Sequence, residues 1–111
     1  MKINRIFGIK WYKNLYLGES IKRESKQIKY KIIYHKRAYG YCLITLPSNM
    51  DNLLDIIYSE TLSMPYYKGR DFDVIGLAGN KTEAFELVGS IIQEVYRQTG
   101  GFDIKSYLGY D

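Results

Sequence analysis

The chain predicts a single α+β domain over residues 1–111: a mixed sheet of four or five strands covered on one face by two helices, in the rough order β-β-β-α-β-α. Three stretches predict it. Residues 71–101 read as a strand, a tight turn and a long capped helix. Residues 28–46 read as two β-rich runs about a short turn. Residues 49–62 carry an apolar stripe at helical spacing between strands.

The first of these organises the rest. Val74-Ile75-Gly76-Leu77-Ala78 is a short apolar run of strand length beside Gly79, which suits a central strand with both faces covered. Asn80 stands where an N-cap belongs, with Glu83 three residues on to reach back. Ala84, Leu87, Val88, Ile91, Ile92 and Val95 then repeat at helical spacing, and Gly100-Gly101 supplies the left-handed stop. Burying a large aliphatic side chain is worth about 1.5–3 kcal/mol, so this stripe is the largest expected block of core.

From the amino terminus, Ile3, Phe7, Ile9, Trp11, Leu15 and Leu17 share one parity, interrupted by Arg5, and predict one or two short strands. Residues 18–27, GESIKRESKQ, have only Ile21 apolar and predict an exposed loop offering Lys22, Arg23 and Lys26 to an anion. The runs IKYKIIYH and YGYCLITL predict a hairpin turning near Lys36-Arg37-Ala38. Its even face, Ile28, Tyr30, Ile32, Tyr34, Cys42, Ile44 and Leu46, should meet the helices. Its odd face, Lys29, Lys31, Ile33, His35, Tyr39, Tyr41 and Leu43, mixes bases with aromatics and is the candidate interaction face. After Pro47, Ser48 with Asp51 or Asn49 with Asn52 can cap a helix whose stripe is Met50, Leu53, Leu54, Ile57, Tyr58 and Leu62. A crossover through that helix would set residues 41–46 and 72–78 parallel. The tail carries Phe102, Ile104, Tyr107 and Leu108 and should dock on the body.

Composition bounds the function. The chain has 111 residues, 46% hydrophobic and 25% charged, ordinary values for one folded domain. No apolar run reaches membrane-spanning length, and residues 1–5 do not begin a secretory leader. With one cysteine, a cytoplasmic, bacterial-style setting is the expectation. Net charge is +4 but unevenly laid out. Residues 1–50 hold eleven Lys/Arg against Glu19 and Glu24, a net of +9, and residues 51–111 hold five against ten Asp/Glu, a net of −5. That asymmetry suits an anionic partner or head-to-tail self-association, unless the halves interleave in space.

No catalytic, cofactor or metal constellation stands out. Gly76 to Thr82 lies at a strand-to-helix turn of the kind that holds phosphate, but its two glycines are too close for a Walker loop and GxGxxG is absent. His35 and Cys42 fall on opposite hairpin faces, which disfavours a Cys–His pair. Asp51 with Asp55, and Asp71 with Asp73, are carboxylate pairs that read first as solvated surface. The leading expectation is therefore a non-enzymatic bacterial interaction or accessory module. It would self-associate or bind a protein through Ile33, Tyr41 and Leu43, with no small-molecule ligand, cofactor or membrane. The alternative is a nucleic-acid binder using Lys29, Lys31, His35, Tyr39 and Tyr41.

The tyrosines of Tyr39-Gly40-Tyr41 resemble those of small tyrosine-motif nucleases, and the size and basic character are similar to small toxin-type ribonucleases. The resemblance implies a small nuclease as a third reading. The matching arginine and glutamate are not evident.

Overall fold

The computed structural model describes residues 8–34, 39–49, 51–63 and 71–110. Strand β1 (Ile9–Leu17) leads into a 3-10 turn (Glu19–Glu24) continuous with helix α1 (Ser25–Ile33). Strands β2 (Cys42–Thr45) and β3 (Asp55–Tyr58), a second 3-10 turn (Ser59–Ser63), strand β4 (Phe72–Ala78), helix α2 (Lys81–Thr99) and the one-turn α3 (Ile104–Tyr107) follow. The sheet order is β1-β4-β2-β3. β4 runs parallel to β1 and antiparallel to β2, and β2 runs antiparallel to β3. This is the expected mixed sheet with two main helices, and the element order is compatible in outline, with the first helix moved ahead of β2.

β4 is central, as its apolar run requires, and Val74 to Ala78 are all buried. Neighbouring strand residues point to opposite faces, and here they enter two separate cores. Leu43, Ile57, Val74 and Leu77 pack with Ile21, Ile28 and Ile32 of the 3-10 turn and α1. Ile44 and Ile75 pack with Ile91 and Val95 of α2 and with Ile104 and Leu108 of the tail. The helices therefore lie on opposite faces of the sheet, a correction to the expectation that they share one. Gly76 sits where β4 passes Ile44: a Cβ there would lie 3.1 Å from Ile44 Cδ1 and 3.2 Å from Ile44 Cβ. Ladder irregularities flank this point, between Trp11 and Tyr16 on β1 and between Ile44 and Thr45 on β2.

α2 forms as its sequence dictates. Asn80 Oδ1 accepts from the Glu83 N–H at 2.8 Å, and Gly100, at φ 77°, closes the helix with its N–H on Tyr96 O at 2.7 Å. The tail docks through buried Ile104 and Leu108, with Asp103 Oδ1 capping Ser106 N–H at 3.2 Å.

The hairpin expected over 28–46 does not form. Its second arm is β2, but its first arm is helical through Ile33, and the turn region 35–38 lies outside the described residues. The physical reason is burial. Ile21, Ile28 and Ile32, set seven and four residues apart, reach the sheet's second face together, and that burial overrides the β preference of a Tyr/Ile-rich run. The expected loop 18–27 is accordingly the 3-10 turn and the start of α1. Cys42 and Ile44 do meet α2, whereas Ile28 and Ile32 are buried against the other face and Tyr30 is exposed.

The helix expected over 49–62 is replaced by β3 and a 3-10 turn. Asn49 Oδ1 accepts from the Asp51 N–H and Asn49 O from the Asn52 N–H, which closes a local turn instead of starting a helix. Ile56 and Ile57 then face opposite cores, as edge-strand residues do. With a strand between them, β2 and β4 pair antiparallel, not parallel as expected. Met50 of the expected stripe lies outside the described residues.

Candidate functional site

Helix α1 exposes the side turned away from the sheet. Ile28 and Ile32 anchor it, and at 3.6 residues per turn the opposite side carries Lys26, Gln27, Tyr30 and Tyr34, with Lys31 on its flank. Lys26, Gln27, Tyr30 and Lys31 line one surface hollow. Tyr30 is 56% exposed and its ring lies 4.6 Å from that of Tyr34. The preceding 3-10 turn adds exposed Lys22 and Arg23, with Lys22 paired to Glu19. Lys29 instead lies over the Trp11 ring at 5.2 Å, where its stem covers apolar surface.

Lys26 and Lys31, which fell in separate predicted elements, thus line one hollow with Tyr30, and Arg23 is exposed on the preceding turn. Of the expected interaction face, Lys29, Lys31 and Ile33 lie on α1, and Ile33 is half-buried. Tyr39 is 72% exposed beyond the helix, Tyr41 packs at the edge of the α1-side core, and Leu43 is 1% exposed within it. They do not share a strand face. His35 lies outside the described residues, as does the aromatic and basic stretch 66–70. Sequence reasoning placed Tyr30 among buried residues. The spacing of Ile21, Ile28 and Ile32 is the signal that would have turned it outward.

At the strand-to-helix turn after β4, the Gly79 and Glu83 amides are taken by side chains of the turn itself. Glu83 accepts from the Gly79 N–H at 2.7 Å, the Ser20 N–H at 3.0 Å and the Ser20 hydroxyl at 2.8 Å. Partial burial alone would raise the Glu83 pKa, but these hydrogen bonds outweigh it and hold the carboxyl below its ordinary value. A Cβ on Gly18 or Gly79 would collide with Glu83 or Ser20, so both glycines serve this internal carboxylate. The Glu83 carboxylate thereby joins the 3-10 turn after β1 to the start of α2, in a place where a phosphate-binding loop would hold its anion.

A cleft of about 710 Å³ opens at the end of the sheet where β2 stops and β4 begins. Leu46, Leu53, Phe72 and Phe102 line it, together with Asp55, Asp71, Asp73 and Asp103. Asp55, paired with Asp51 in the sequence, instead joins Asp71 and Asp73 here. Asp55 is already engaged by the Ser48 N–H, the Ser48 hydroxyl and Asn52 Nδ2, and Asp103 by the α3 cap. Among the described residues no group of three His, Cys, Asp or Glu side chains could hold a metal ion.

Two further groups are chemically quiet. Cys42 is wholly buried and its thiol pKa is raised, first by burial and then by Glu60, with Lys81 opposing, which disfavours the thiolate a nucleophile needs. Glu94 Oε2 accepts from the phenols of Tyr16 and Tyr107, each at 2.8 Å. Burial, then the Glu94 hydrogen bond, raises the Tyr16 pKa; for Tyr107 the Glu94 bond is the leading cause. Both phenols stay protonated donors, so the cluster works as a clamp holding β1, α2 and the tail together. No helix among the described residues is long and apolar enough to cross a membrane. No protein-family model, curated protein or solved structure matches the chain.

Proposed function

We propose that the chain is a binding module for single-stranded nucleic acid, with the outer side of the 3-10 turn and α1 as its contact surface. One observation carries the reading: Lys26 and Lys31 line one surface hollow with the exposed ring of Tyr30, and Arg23 is exposed on the 3-10 turn that leads into the helix. Cations neutralise phosphates and release counterions, and a tyrosine face stacks on any unpaired base, so the pair of features suits a single strand of any sequence. Glu19, paired with Lys22, and Glu24 share the 3-10 turn with these cations, whereas the acidic residues of the cleft and of α2 lie away from α1 and repel a polyanion there.

The test is fluorescence anisotropy with a labelled oligonucleotide of about a dozen unpaired nucleotides, a length in the range one small domain covers. With three contacting cations, the log–log slope of affinity against salt should be about −2. Reversing Arg23, Lys26 and Lys31 to Glu should abolish binding while the circular dichroism spectrum is kept. Tyr30→Ala should weaken binding by about 1–3 kcal/mol without changing the salt slope. No binding at low salt, or equal binding to an acidic peptide of the same charge, defeats the reading.

A further inference from the structure

The outer side of α2 carries a second pattern, on the opposite face of the sheet. Phe85, Gly89, Ile92 and Tyr96 follow at spacings of four, three and four, which places them on one stripe of the helix, with Ile92 half-buried at its inner edge against the core. Phe85 is 58% and Tyr96 54% exposed, and Tyr96 stacks on exposed Phe102 at 5.2 Å. Gly89, in the middle, has nothing within 4 Å of where a Cβ would sit. A glycine inside a helix weakens it relative to alanine, and no contact among the described residues calls for one here. A missing side chain on an apolar stripe lets another helix come close.

We infer that α2 pairs with α2 of a second copy of this chain, antiparallel about a two-fold axis between Ser90 and Ile91. The stripe is complementary to itself about that point. Phe85 falls opposite Tyr96 of the second copy, and Gly89 falls opposite Ile92, the smallest residue against a branched one. The flanks agree. Glu86 and Arg97 lie on one flank, and the two-fold brings each within about a turn of its opposite charge across the axis. Lys81 comes beside Thr99 and Gly100, over the negative end of the other helix. Such an isologous contact closes as a dimer and leaves both α1 surfaces facing outward. It rests on α2 alone and stands whether or not α1 binds nucleic acid.

Sedimentation velocity of the full chain across a concentration series tests it. The wild-type chain should be a dimer. Gly89→Gln should become monomeric while keeping or gaining helix by circular dichroism, because the site is open within the chain. Glu86→Arg and Arg97→Glu should each weaken the dimer roughly tenfold through two like-charge contacts, and the double exchange should restore it. Residues 86 and 97 are three turns apart on their own helix, so rescue reports contact between copies and their antiparallel sense. A wild-type monomer at the highest concentration, a dimer indifferent to Gly89→Gln, or failure of the double exchange to restore would each overturn the inference.

Discussion

α1 and α2 cover opposite faces of one sheet and come into being by different rules. α2 has nineteen residues, an Asn80 cap at its start and a left-handed Gly100 at its end. α1 has nine residues, no side-chain cap at its start and an entry through a 3-10 turn. A helix that short is marginal on its own. It exists because Ile28 and Ile32 complete a core that Leu43, Ile57 and Leu77 would otherwise leave open. Stability written locally gives a helix that can be read residue by residue. Stability supplied by a distant sheet face gives one that cannot.

Mutations can break or sharpen this contrast. The largest effect is expected in the cores. Ile32→Ala and Ile91→Ala, each at a site no more than 1% exposed, should each cost about 2–5 kcal/mol in urea unfolding, one from each face. Tyr30→Ala, two residues from Ile32, should stay within about 0.5 kcal/mol because its ring is exposed. If Tyr30→Ala cost as much as Ile32→Ala, the two would share a buried face, as in a strand, and α1 would be wrong.

Next comes the sheet between the helices. Gly76→Ala should cost about 1–3 kcal/mol, since its methyl must displace Ile44, read as a lower unfolding midpoint. The caps follow. Asn80→Ala should cost about 1 kcal/mol by removing the Glu83 N–H acceptor, whereas Glu24→Ala at the start of α1 should cost little, as no side-chain cap is lost.

The smallest effects are in the pH profile. The folded Glu83 pKa is depressed, so its contribution is present above its unfolded value of about 4.3 and is lost as pH falls through the folded value. Glu83→Gln should flatten that acid limb. The folded Tyr16 pKa is raised, so its contribution is full below its unfolded value of about 10 and fades as pH rises beyond it. Tyr16→Phe should flatten the alkaline limb in the same thermal-melt series.

The same contrast explains what the sequence made legible. Val74 to Gly100 could be read because cap, stripe and stop agree there, and Cys42 to Thr45 because the run is short and β-rich. Lys29 to Tyr34 alternates well enough to pass for a strand, and the competing spacing of Ile21, Ile28 and Ile32 has meaning only once an apolar sheet face awaits it. Leu53 to Leu62 fits helical spacing, yet adjacent Ile56 and Ile57 are divided between two cores that the sequence does not announce. The candidate surface followed the fold. Lys31 was expected on an exposed face and is exposed, Arg23 and Lys26 were assigned to a separate loop, and Tyr30 was turned inward by the strand reading.

With α1 proposed to contact the ligand and α2 a second copy, the sharpest measurement is an amide chemical-shift titration of the labelled chain with a single-stranded oligonucleotide. The predicted result is perturbation confined to residues 22–34, with the amides of Phe85 to Tyr96 unmoved. Shifts centred on Asp71, Asp73 and Phe102 at the cleft, or on the outer side of α2, would contradict it.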